Sequence, residues 1–257
     1  METLAIIRPK NQLDDSKNTV ESFGYRALGT TMIDVTPLRD PFWHYFLDEL
    51  KIGKVDYVII TSANGAHICE MLGLNASNIP PSTKIVAIGP QTRAALLKEH
   101  LRVDLVPSEY SSRGLVKMFN NIDKKSIWIL RSAFGSSELL EGLENAGAAV
   151  HEIVIYTLKK LCGAPQQAFV REVVEGTVAG VLLTSGMTVR AFFDCASRTR
   201  TREQLIARLG EMVVGAIGKP TAEALCEMNV QVDVIPNKAT FRELVMAVHA
   251  KLSARAP

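Results

Sequence analysis

The sequence predicts an α/β protein of two similar parallel-sheet, Rossmann-like, three-layer domains. Three observations carry that prediction: an internal repeat, short apolar runs alternating with amphipathic stretches, and helix-start signals directly after several of the runs. The repeat comes first, because missing it misreads the whole fold. Ala87-Ile88-Gly89-Pro90-Gln91-Thr92 is answered by Ala216-Ile217-Gly218-Lys219-Pro220-Thr221. The matched pairs continue at constant separation through Val103-Asp104 and Val232-Asp233, Pro107 and Pro236, and Arg113 and Arg242. Upstream, at a slightly shorter offset, Val58-Ile59-Ile60-Thr61-Ser62 matches Val181-Leu182-Leu183-Thr184-Ser185, Ile6-Ile7-Arg8 matches Ile129-Leu130-Arg131, and Gly24 matches Gly147. Chance rarely sustains a constant offset, so an internal duplication is expected.

The strand runs lie near Leu4, Val58, Ile85, Ile127, Val181 and Val214. They are short, rich in Val and Ile and without polar alternation, the pattern of parallel strands buried on both faces. Gly89-Pro90 places a flexible turn and a first-turn proline before a helix from Thr92 to Glu99. Thr240 with Glu243 forms a capping box before Leu244 to Val248, and Gly147 sits where a glycine would close the helix from Glu138. Phe42-Trp43-His44-Tyr45-Phe46 reads as core packing. Thr30 to Leu38 and His151 to Lys160 are β-prone but interrupt the alternation, and are expected to connect domains at about 30–38 and 151–160.

Composition removes several function classes. A hydrophobic fraction of 47% and a charged fraction of 22% are ordinary for a globular protein. No apolar run approaches the roughly 18 residues of a membrane span, and the N-terminus lacks signal-peptide features, so no membrane partner and a cytoplasmic location are expected. Cys69, Cys162, Cys195 and Cys226 form no CxxC pair, which predicts buried free thiols rather than zinc or disulfides. His44, His67, His100, His151 and His249 are scattered, so no metal is expected. A net charge of +2 is too small for a nucleic-acid footprint. Neither GxGxxG, GxxxxGK[ST] nor GxSxG occurs, which argues against dinucleotide, P-loop and serine-hydrolase chemistry.

In open α/β sheets ligands bind beyond the carboxyl ends of the strands. The residues there are Arg8-Pro9, Thr61-Ser62-Ala63-Asn64-Gly65, Gly89-Pro90-Gln91-Thr92, Arg131-Ser132, Thr184-Ser185-Gly186 and Gly218-Lys219-Pro220-Thr221. A single Thr-Ser there is ordinarily an N-cap. Its recurrence in both copies instead suggests backbone N–H groups and helix dipoles arranged for anions, in a cleft between the domains. Tyr156, at the second connector, is either a proton or hydrogen-bond donor in that cleft or a residue packed at the junction.

Taken in order, the strand ending in Arg8-Pro9, Thr61-Ser62-x-Asn64-Gly65, Ile88-Gly89-Pro90-x-Thr92, Val106-Pro107-x-x-Tyr110, Gly114-Leu115, Leu130-Arg131, Gly147, Val150, Tyr156, Thr184-Ser185 and Ile217-Gly218-x-Pro220-Thr221 resemble the uroporphyrinogen-III synthase family. The resemblance runs from about Leu4 to Val248. It implies two α/β domains, 1–34 with 160–257 and 38–152, joined by a two-stranded β connector. The proline often found before the connector is replaced around Thr31. The implied activity is a cofactor-free lyase closing hydroxymethylbilane, a polycarboxylate, to uroporphyrinogen III with inversion of the last pyrrole. Hydroxyl loss gives an azafulvene, and a spiro intermediate reopens inverted. The unassisted reaction closes without inversion, so the enzyme's main task is positioning.

The resemblance also implies that Tyr156 assists hydroxyl departure and that Thr61, Ser62, Thr92, Thr184, Ser185 and Thr221 line the cleft. Asn64, Gly65, Gly89, Pro90, Ser132, Gly186 and Gly218 complete the substrate-binding turns, and Arg8, Arg131 and Lys219 are chosen as carboxylate partners. A monomer and a transient hand-over from hydroxymethylbilane synthase are expected. The alternatives are a catalytically silent tetrapyrrole- or anion-binding regulator and, more weakly, a sugar-nucleotide transferase.

Overall fold

In a computed structural model describing residues 1–255, the chain begins β1 (Thr3–Ile7), α1 (Lys10–Glu21), β2 (Arg26–Thr30), β3 (Ile33–Pro37), α2 (Trp43–Lys51), β4 (Tyr57–Ile60), α3 (Ala63–Met71), β5 (Lys84–Ala87), α4 (Pro90–Lys98) and α5 (Ser112–Met118). It continues β6 (Ser126–Ser132), α6 (Glu138–Asn145), β7 (Ala149–Lys160), α7 (Ala164–Glu175), β8 (Val178–Leu183), α8 (Gly186–Arg198), α9 (Arg202–Leu209), β9 (Val213–Ala216), α10 (Lys219–Cys226) and α11 (Phe241–Ser253). Each strand run named from the sequence forms a strand. Packing divides the chain into two compact units, Met1–Asp34 with the chain from Lys159 onward, and Val35–Leu158.

The first unit carries a four-stranded sheet in the order β2-β1-β8-β9, with every pair parallel. Successive β1 residues point to different cores: Ala5 and Ile7 join one cluster, Leu4 and Ile6 another. Helices therefore cover both faces, as continuous apolar strands require. The second unit carries the order β3-β7-β6-β4-β5. There Val58 and Ile60 face one core while Ile59 faces the other.

The repeated residues have matching local roles. Asp104 Oδ2 accepts from the Ile85 N–H, and Asp233 Oδ2 from the Val214 N–H, each at 2.8 Å. Each aspartate thereby pins the segment that bridges its edge strand, Leu105 to Val86 and Val234 to Gly215. Gly24 and Gly147 follow α1 and α6 at φ of +84° and +90°, a left-handed conformation that suits glycine as a helix terminator.

The two segments expected as connectors, 30–38 and 151–160, contain the points where the chain passes from one unit to the other, Asp34–Val35 and Leu158–Lys159. Each also joins a sheet: β7 is one strand of 12 residues that pairs in parallel with β6 from Ala149 to Tyr156, and the segment 30–38 divides between the end of β2, beside β1, and β3, beside β7. Cys162 and Cys195 are joined by a disulfide, whereas Cys69 is buried and free and Cys226 exposed and free. The expectation of free thiols fails for the bonded pair because their separation of 33 residues matches no local motif. Only the packing of α8 against the chain leaving β7 brings them together.

Candidate active site

Register brings the candidate residues to one end of each sheet. In the second unit Ile60 is paired with both Ala87 and Leu130, so Thr61, Ile88 and Arg131 all begin at the same edge. Ser132 is paired with Tyr156, which carries the tyrosine to that edge as well. In the first unit Ile7 and Ala216 both pair with Leu183, aligning Arg8, Thr184 and Ile217.

Each unit then uses two kinds of helix start. Ser62 and Ser185 are N-caps whose hydroxyls accept from the Gly65 N–H at 2.9 Å and the Thr188 N–H at 3.1 Å. Gly89 and Gly218 are N-caps without a side chain, followed by a proline in the first turn. Early backbone N–H groups at a helix start lack intrahelical partners. A glycine cap leaves them open to a ligand.

Thr61, Ser62, Ala63, Ile88, Gly89, Pro90, Gln91, Thr92 and Tyr110 line a pocket of about 420 Å³ in the second unit. It lies where α3 and α4 both begin, and none of its lining side chains is charged. An anion in it would meet two helix N-termini rather than cations. Tyr156 stands behind this wall, 4% exposed, with its hydroxyl 2.8 Å from Ser62 Oγ.

The remaining predicted residues divide by environment. Asn64 and Gly65 are absent from the pocket wall; Gly65 is buried and spends its N–H on Ser62. Arg131 is buried and committed to Glu152 and the Ser136 carbonyl, so its charge is neutralised internally. This corrects its choice as a free carboxylate partner, since strand pairing puts Glu152 beside it. Ser132 Oγ accepts from the Phe134 N–H at 3.3 Å.

In the first unit, Arg8 donates to Ser16 and Gln12 and lies over the Phe241 ring, and its burial draws the guanidinium below its usual pKa. Thr184, Ser185 and Gly186 are half-buried and Thr221 is buried. Lys219 borders a separate groove of about 570 Å³ between α10 and the chain from Asn229 to Ile235. Of the aromatic run, Trp43 and Phe46 are buried but Phe42, His44 and Tyr45 are exposed, so two of its five residues pack as predicted.

Tyr110 belongs to the sequence pattern but carried no assigned role. The bridge from Leu105 to Val86 leads the chain over the end of β5, and Tyr110 lies 3.2 Å from the position a side chain on Gly89 would take. Among the described residues, His67, Glu70 and Glu99 form a trio whose ligand atoms lie within 4.8 Å of one another. Sequence separation had hidden that grouping. None of the three lines the pocket.

Over residues 14–246 the chain matches the uroporphyrinogen-III synthase HemD family. The chain belongs to the uroporphyrinogen-III synthase family. An Archaeoglobus fulgidus protein provisionally named uroporphyrinogen-III synthase is 26% identical, over 96% of this chain and 97% of its own. The Synechococcus elongatus uroporphyrinogen-III synthase is 23% identical, over 87% of each. A crystal structure of a mutant uroporphyrinogen III synthase from the extremely thermophilic bacterium Thermus thermophilus superposes at a TM-score of 0.66 with 17% identity, covering 99% of this chain and 100% of that one. The enzyme from Helicobacter pylori 26695 gives 0.62 with 19% identity, covering 99% and 100%. These structures establish the shared two-domain α/β fold. The uroporphyrinogen-III synthase family is one of cofactor-independent lyases in tetrapyrrole biosynthesis, and this chain is an enzyme of that class.

Proposed function

We propose that this chain folds hydroxymethylbilane so that ring closure inverts ring D, and that the hydroxyl leaves at the pocket where α3 and α4 begin. The observation carrying this reading is the Tyr156 hydroxyl, 2.8 Å from Ser62 Oγ behind a wall of helix-start residues. Thr61 and Thr92 then present hydroxyls, and Ser62 and Gly89 their N–H groups, to the substrate's carboxylates while Pro90 shapes the turn, and Tyr156 supplies the proton for hydroxyl departure. Arg8, Thr184, Ser185, Gly186, Gly218, Lys219 and Thr221 are proposed as carboxylate binders of the first unit. Positioning accounts for most of the task, since the unassisted reaction closes on the other carbon.

The proposal also takes the two compact units as the family's two domains. Cytoplasmic location and direct hand-over from hydroxymethylbilane synthase belong to it too. No helix among the described residues is long and apolar enough to cross a membrane.

The decisive experiment generates hydroxymethylbilane in situ and resolves the product isomers. The inverted isomer should predominate, and Tyr156→Phe should lower kcat by about tenfold or more, with little change in Tm. Only the non-inverted isomer would refute the activity. A Tyr156→Phe enzyme at full speed would remove Tyr156 from the chemistry.

A further inference from the structure

We propose that Ser62 is the group that touches the departing hydroxyl, relaying to it the proton of the buried Tyr156. This rests on the assignment of that proton to Tyr156. Tyr156 is 4% exposed and absent from the pocket wall, whereas Ser62 is part of it. A proton on a buried phenol reaches a ligand in the pocket through whatever stands between them. Here that neighbour is Ser62, at 2.8 Å.

The bonding of Ser62 fits the role. A hydroxyl has two acceptor lone pairs and one donor hydrogen. The Gly65 N–H occupies one lone pair at 2.9 Å. When the Tyr156 hydroxyl donates to the other, the Ser62 hydrogen is left to point into the pocket. The start of α3 holds the oxygen in place, and its positive potential favours proton release. The matched turn of the first unit differs: the Ser185 hydroxyl pairs with the Thr188 hydroxyl instead of a phenol. Of these two otherwise similar serine caps, only Ser62 is paired with a phenol.

In the step, the Ser62 proton moves to the hydroxymethyl oxygen while the C–O bond breaks and its electron pair leaves with the oxygen as water. The pyrrole nitrogen supplies the pair that replaces it. The Tyr156 proton moves onto Ser62 Oγ, leaving a phenolate. After the spiro intermediate reopens, the free pyrrole carbon that closes the ring loses its proton, and the same path returns a proton to Tyr156. Water is the only species released.

The test compares Ser62→Ala, Ser62→Thr, Tyr156→Phe and the Ser62→Ala/Tyr156→Phe double variant in the full chain, with hydroxymethylbilane formed in situ. Thr240→Ala, which removes the comparable cap of α11, controls for loss of a cap. Ser62→Ala and Tyr156→Phe should each lower kcat by about tenfold or more, and the double variant should be no slower than the slower single. Ser62→Thr, which keeps a hydroxyl, should recover at least a third of the wild-type kcat. Thr240→Ala should lower Tm and leave kcat unchanged. A slow Tyr156→Phe beside a fast Ser62→Ala overturns the relay but leaves Tyr156 as the acid. Multiplying defects in the double variant, or a Ser62→Thr as slow as Ser62→Ala, also overturns the relay. A full-speed Tyr156→Phe removes the assignment on which it stands.

Discussion

At the scale of single residues, environment separates side chains that the sequence left alike. Arg8 and Lys219 come just after strands and Arg131 lies at the end of one, yet Lys219 is exposed while Arg131 is bound to Glu152. Arg131→Met leaves a half-buried carboxylate without its partner, so it should cost about 1–2 kcal/mol of stability. Chemical denaturation should show that loss with KM little changed. A large rise in KM at unchanged stability would instead return Arg131 to the substrate. The thiols separate in the same way. Burial pushes the Cys69 thiol well above its usual pKa and shields it, while Cys226 is exposed. A thiol reagent at about pH 8 should therefore label Cys226 in the native protein and Cys69 only after unfolding.

Among the elements, the helix starts line the proposed site. Gly89 has extended backbone at φ −171°, which any residue can adopt, so its lack of a side chain matters through space rather than strain. A Cβ there would come within 3.2 Å of Tyr110 Cβ and crowd the pocket. Gly89→Ala should raise KM by about threefold to tenfold, a cost of about 1 kcal/mol, with kcat less affected. An unchanged KM would show that the substrate does not approach this turn. Ser185→Ala should cost about 1 kcal/mol through the lost cap of α8, measurable as a lower denaturation midpoint. These starts were legible in the sequence because caps and prolines act within one turn of their own helix. The extent of β7 was not. Its first half reads as part of a connector until pairing with β6 reveals it as a sheet strand.

For the whole molecule, the disulfide ties α8 to the chain leaving β7 and so bears on global stability. Closing a loop of 33 residues should contribute about 3–4 kcal/mol by restricting the unfolded chain. Reduction, or the Cys162→Ser/Cys195→Ser pair, should lower Tm by several degrees; an unchanged Tm under reductant would count against a formed bond. The sequence by itself determined the α/β class, the strand runs, the glycine- and serine-started turns and the family resemblance. All of these are written in short-range periodicity, capping chemistry and ordered motifs. Tertiary structure alone decided that Tyr156 meets Ser62, that Arg131 meets Glu152, that Cys162 meets Cys195, and that Tyr110 joins the pocket while Asn64 and Gly65 do not. Those partners lie 94, 21 and 33 residues apart in the three pairs. Strand register and helix packing set such neighbours, and no local pattern in the chain encodes them.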